Sequence, residues 1–175
     1  SMDFLPRDDT RACLTAKSDA ILSPDAILAG TIAELHKNKG LTYAIEAIAM
    51  LAKKNTSLFY FILGSGEESE RLADLIKRHK LQERVFLLGF VENAANYLKA
   101  FDIFVLPSFA EGISRALMES MAMGIVSVGS TIDGNLEAII DGETGFIFEL
   151  NNHLMLADKL LFLIKNKETR ESMGR

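Results

Sequence analysis

FVLPSFAEGISRALMESMAMG, residues 104–124, decides how the rest of the chain is read. An apolar run of strand length ends at Pro107 and Ser108, a short loop carries Glu111 and Gly112, and small and apolar residues then recur at helical spacing. A strand, a loop and a helix in that order bring two carboxylates, Glu111 and Glu119, into one region. With a helix starting at Ile113 they stand at most about 12 Å apart along its axis, at about 1.5 Å per residue. The first free backbone N–H groups, around Ser114 and Arg115, leave the helix with the positive end of its dipole, which suits a phosphate. One ligand of nucleotide size spans both carboxylates.

The same strand-then-helix unit recurs on either side. Short apolar runs at 26–33, 58–63, 84–90, 103–106, 125–129 and 145–149 read as strands; segments 41–53, 67–79, 93–100, 114–123, 134–140 and 154–166 read as helices. A further short helix is expected within 3–17, with Pro6 in its first turn, then a linker over 18–24; the residues after 166 read as a polar tail. This alternation predicts an α/β fold, a doubly wound, Rossmann-like parallel sheet of about six strands with helices on both faces. Ligands of such sheets bind at the carboxyl ends of the strands, where strand order reverses. The loops to inspect are therefore 34–39, 64–67, 90–93, 107–114 and 130–135, and Gly, Ser, Lys and Glu collect in them.

The 175 residues are about half hydrophobic and a quarter charged, as in an ordinary globular domain. Ser1 and Met2 read as an expression scar ahead of a single domain over 3–175, cut from a longer chain. A net charge of -5 gives no footprint for nucleic acid. No apolar run approaches the roughly 18 residues of a membrane span. Cys13 is the only cysteine, which precludes an internal disulfide and fits a reducing, cytoplasmic compartment.

Lys39 and Gly40 lie between the first strand and its helix, where an ammonium meets phosphate oxygens and glycine lets the backbone approach; the plainer reading is a solvated loop lysine. Gly64-Ser65-Gly66 exposes N–H groups or simply starts a helix. Nothing in the spacing of Glu111 and Glu119 sets their pKa values apart, as acid–base hydrolysis requires, so hydrogen bonding to hydroxyls is the better use of both. Alternatively, Glu111 serves the helix dipole and Glu119 a solvated face, although apolar Leu117, Met118 and Met121 argue against a solvated Glu119. His36, His79 and His153 have no metal-type spacing; His79 and His153 read as surface residues, and His36 sits in a strand-end loop. No metal site is expected.

Lys39-Gly40, ILGSGEE at 62–68, VFLLGFV at 85–91, DIFVLPSFAEGISRALMESMAMG at 102–124 and LEAIIDGETGFIF at 136–148 occur in that order. Together they resemble the C-terminal domain of glycosyltransferase family 4, glycosyl transferases group 1, over nearly the whole chain. The resemblance implies the donor-binding half of a retaining, metal-independent GT-B enzyme of polysaccharide biosynthesis, with a nucleotide-diphosphate sugar as substrate and no cofactor. Carried onto this sequence, Glu111 holds donor-sugar hydroxyls beside the reacting carbon and Glu119 the ribose hydroxyls. Gly112, Ile113, Ser114 and Arg115 offer backbone N–H groups to sugar and diphosphate. Lys39 neutralises the leaving diphosphate, and Phe90 and Val91 meet the nucleobase. The choice between UDP and GDP stays open. A glycan or lipid-linked acceptor would sit on an N-terminal domain outside this chain, so the fragment is expected to bind donor without turnover. The full enzyme could associate peripherally with a membrane.

Two positions depart from the pattern. Glu34 stands where an arginine usually shares the diphosphate charge, which calls for a substitute such as Lys37 or implies weaker donor binding. Val126 stands where proline is common after the motif helix. The rival readings are an inactive nucleotide-sugar-binding module, which Glu34 favours, and an epimerase-like domain. A phosphorylase would need a pyridoxal-phosphate lysine, for which there is no separate signal.

Overall fold

The computed structural model describes residues 6–54 and 56–175. Six strands, β1 (Ile27–Ile32), β2 (Leu58–Leu63), β3 (Val85–Leu87), β4 (Ile103–Leu106), β5 (Val126–Ser130) and β6 (Gly145–Phe148), form one sheet in the order β3-β2-β1-β4-β5-β6. Every pairing is parallel. Because β2 is buried at all six positions, its alternate residues feed two cores. Tyr60 and Ile62 join the layer of α2 (Leu41–Ala52), α3 (Ser69–Arg78) and α6 (His153–Lys165). Phe59, Phe61 and Leu63 face the other layer, with α1 (Arg7–Ser18), a 3-10 helix (Ala94–Ala100), α4 (Arg115–Ala122) and α5 (Asp133–Ala138). Among the described residues, no helix is long and apolar enough to cross a membrane.

The expected sheet and its two helix layers are present, with local corrections. The polar tail is instead a helix, α7 (Lys167–Gly174), tied back by the buried Arg170, which donates to the Leu163 carbonyl at 2.6 Å. It lacks an apolar stripe, so periodicity could not reveal it. The first helix spans Arg7–Ser18, with Pro6 at its N-cap rather than inside its first turn; residues 3–5, and the boundary drawn at residue 3, lie outside the described residues. The third strand is only Val85–Leu87, because Gly89 at φ 67° turns away to bridge Gly64. The motif helix starts at Arg115 rather than Ile113, since Ser114 caps it by accepting from the Leu117 N–H at 3.4 Å.

Strand order reverses between β1 and β4, which places the switch point at their carboxyl ends. The loops leaving these strands carry Lys39 and Glu111.

Candidate functional site

Several local contacts join the two switch-point loops. A short 3-10 helix, Lys37–Lys39, is capped by the His36 imidazole, which accepts from the Asn38 N–H at 3.3 Å. Gly40 then takes φ 62°, its Cα facing the Pro107 carbonyl so closely that a Cβ would collide with it. The Phe109 N–H donates to the Asn38 carbonyl at 2.7 Å, and the Tyr43 and Phe109 rings meet edge to face, 5.3 Å apart. So fixed, Lys39 Nζ lies 2.7 Å from Glu111 Oε1. Ser108 Oγ donates to the other carboxylate oxygen at 2.8 Å. Ser108 is fully buried and Glu111 half-buried, leaving the remaining lone pairs of the carboxylate for a ligand.

At the end of β1, two hollows share Ile32 and Ala94. One, of about 570 Å3, is lined by Asn93, Asn96, Arg115 and Glu119. The other, of about 380 Å3, is lined by Glu34, Gly64, Ser65, Phe90 and Val91. Glu119 is held by Arg115 Nε at 2.8 Å, so the Arg115 side chain orients the carboxylate while its backbone starts the helix. The apolar environment expected around Glu119 is not found: Met118 is half-exposed, Leu117 and Met121 belong to the core beneath the sheet face, and Glu119 pairs with Arg115. Phe90 is 79% exposed and lines the second hollow. Ile113 is exposed, and Gly112 has open space where a Cβ would stand.

Glu34 is exposed on the rim of the Phe90 hollow. Lys37 lines a separate hollow with His36, Tyr43, Glu68 and Arg71. His36 pairs with Glu67 at 3.3 Å, away from Lys39 and Glu111. His79, expected at the surface, is partly buried against Glu46 at 3.2 Å, and His153 is partly buried where it opens α6. Among the described residues no three His, Cys, Asp or Glu side chains gather as a metal would need. A larger hollow, about 890 Å3, opens at the opposite edge of the sheet, but two of its cations, Arg7 and Arg11, are engaged on Asp102.

The sequence does not reveal what stands behind Glu111. Ser130 Oγ donates to the Ser108 carbonyl, and Asn135 Nδ2 donates to the Ser130 carbonyl at 3.0 Å. Gly134 packs on the Glu111 and Gly112 carbonyls, leaving no room for a Cβ. Only the presence of polar residues in the loop 130–135 hinted at these contacts.

The glycosyl transferases group 1 family model matches residues 16–175. The chain is 31% identical over 143 residues to the Escherichia coli O-antigen biosynthesis glycosyltransferase WclY, an alignment covering 82% of this chain and 39% of that protein. It superposes with TM-score 0.82 and 25% identity on a TarM variant from S. aureus in complex with fondaparinux, alpha-GlcNAc-glycerol and UDP, covering 88% of this chain and 32% of TarM. It also matches the C-terminal domain of the glycosyl transferase group 1 protein LpcC from Francisella tularensis with TM-score 0.84 and 22% identity, covering 97% of this chain and 88% of that one. The chain thus spans about two fifths of the length of the curated relatives it matches. With a six-stranded parallel sheet, a switch point occupied by Lys39 and Glu111, and a family match across most of its length, this chain belongs to the glycosyl transferases group 1 family.

Proposed function

We propose that this chain is the donor-binding part of a retaining, metal-independent glycosyltransferase, of hexosyltransferase type, that moves sugar from a nucleotide-diphosphate donor to a glycan or lipid-linked acceptor. The observation that carries the reading is the approach of Lys39 to Glu111 at the switch point, on the same strand-end edge as the hollows lined by Glu119 and by Phe90. Uridine is the first base to test, because TarM at 25% identity is in complex with UDP. In this reading the Phe90 ring and the Val91 backbone receive the base, and Glu119, oriented by Arg115, accepts from the ribose hydroxyls. The N–H groups of Gly112, Ile113, Ser114 and Arg115 meet the diphosphate and the sugar. Lys39 turns from Glu111 toward the diphosphate and stabilises the charge that grows on it as the sugar–oxygen bond breaks, without a metal. Glu111, still held by Ser108, accepts from sugar hydroxyls next to the reacting carbon.

The acceptor and its contacts belong to a further domain, so this chain binds donor and transfers nothing by itself. In the full enzyme the reaction belongs on the cytoplasmic side, with peripheral membrane association. Calorimetry with UDP tests the site: binding is expected in the wild type and strongly weakened in both Lys39→Ala and Glu119→Ala. A folded chain silent toward UDP and GDP favours the second reading, an inactive module. Glu34 supports that alternative, since a carboxylate on the rim of the hollow disfavours a nearby diphosphate.

A further inference from the structure

We propose that Ser108, Ser130 and Asn135 form a buried positioning relay that fixes Glu111 for the donor sugar, a role that rests on the donor-site reading. All three residues are 0% exposed and come from three separate places: the end of β4, the end of β5 and the first turn of α5. Their protons run in one direction. Asn135 Nδ2 donates to the Ser130 carbonyl at 3.0 Å and approaches Ser130 Oγ at 3.3 Å. Ser130 Oγ spends its own proton on the Ser108 carbonyl, and Ser108 Oγ spends its proton on Glu111 Oε2 at 2.8 Å. A flipped Asn135 amide would set its oxygen against the Ser130 and Leu106 carbonyls, so the acceptors on its donor side fix its orientation. Gly134, one residue earlier, presses on the Glu111 and Gly112 carbonyls, so α5 supports the backbone and the side chain of Glu111 together.

The relay separates two roles that one ion pair would otherwise confuse. Lys39 holds Glu111 Oε1 and Ser108 holds Oε2. When a diphosphate draws Lys39 away, Ser108 keeps the carboxylate aimed at the sugar. Without Ser108, Glu111 has Lys39 as its remaining side-chain partner and follows it toward the phosphates. Hydroxyl recognition depends on direction, so the loss appears in the sugar increment of binding and spares the nucleotide.

The test compares affinities of the 175-residue chain for UDP with UDP-glucose and UDP-N-acetylglucosamine, and for GDP with GDP-mannose. For the nucleotide that binds, the wild type is expected to favour at least one sugar form. Ser108→Ala and Ser130→Ala are each expected to reduce that preference about tenfold, while changing affinity for the bare nucleotide less than twofold. Ser120→Ala is the control: it removes an equally buried serine, bonded to the Leu117 carbonyl and Ser127, and should leave the preference intact whatever it does to melting temperature. If either relay variant folds and keeps the wild-type preference, or if the wild type gains nothing from any sugar, the relay is wrong while the nucleotide site stands. Silence toward UDP and GDP alike defeats the donor reading and the relay with it. Should Ser108→Ala fail to fold, Ser130→Ala decides, because it breaks the relay one bond further from Glu111.

Discussion

Tyr60 shows how a single buried hydroxyl ties three central strands together. It is 0% exposed, and its oxygen lies 2.6 Å from Thr31 Oγ1, which in turn donates to the Val105 carbonyl at 2.5 Å. Since Thr31 has one proton and spends it on Val105, the phenol must be the donor to Thr31. Tyr60→Phe leaves that threonine oxygen unfilled and is expected to cost about 1 to 2 kcal/mol in urea unfolding. Burial also pushes the Tyr60 phenol well above its ordinary value of 10.0, opposed by the Thr31 bond. The sign follows: above pH 10 the unfolded chain releases this proton while the folded chain keeps it. Stability is therefore fully present below pH 10 and falls as pH rises beyond it, by up to about 1.4 kcal/mol per pH unit from this group. Unfolding midpoints measured from pH 8 to 11 should show this added slope in the wild type and not in Tyr60→Phe.

At the scale of elements, the loop between β1 and α2 depends on Gly40. Its φ of 62° and the Pro107 carbonyl facing its Cα leave no room for a side chain. Gly40→Ala is expected to cost about 2 to 3 kcal/mol and to displace Lys39, weakening UDP binding by about tenfold in calorimetry. At the other end of the molecule, α7 is held by the guanidinium of Arg170, which closes the carboxyl end of α6 through the Leu163 and Ile164 carbonyls. Arg170→Ala should remove about 1.5 to 3 kcal/mol, read as a lower melting temperature, without changing UDP affinity. These two elements mark where the sequence is legible. Lys39-Gly40 and Glu111-Gly112 announce a site because glycine and charge gather just past apolar strands. α7 looks like a polar tail in the sequence because a buried arginine, rather than an apolar stripe, anchors it. The support behind Glu111 is hidden in the sequence because Ser108 and Ser130, 22 residues apart, meet only when β5 pairs with β4.

For the whole molecule, parallel pairing from β3 to β6 sets every strand-end loop on one edge, and the reversal between β1 and β4 opens a gap there. In the proposed donor site Lys39, Glu111, Glu119 and Phe90 come from segments that follow β1, β4 and β3, so a ligand touching them links both halves of the sheet. Binding should then appear as global stability. At about 100 times its Kd, a ligand that binds only the folded chain adds about 2.7 kcal/mol. For a domain of this size 1 kcal/mol moves the melting temperature by about 2 to 4 °C, so UDP at that concentration should raise it by about 5 to 10 °C. At the same UDP concentration, Lys39→Ala should lose most of the shift, because the proposed site sets this ammonium against the diphosphate. Raising salt should reduce the wild-type shift, since a lysine side chain with 21% of its surface exposed is still partly screened, over about 10 Å at 0.1 M. EDTA should leave it unchanged. A shift that EDTA abolishes would show that a divalent cation carries the diphosphate, and Lys39 would then be its partner rather than its replacement.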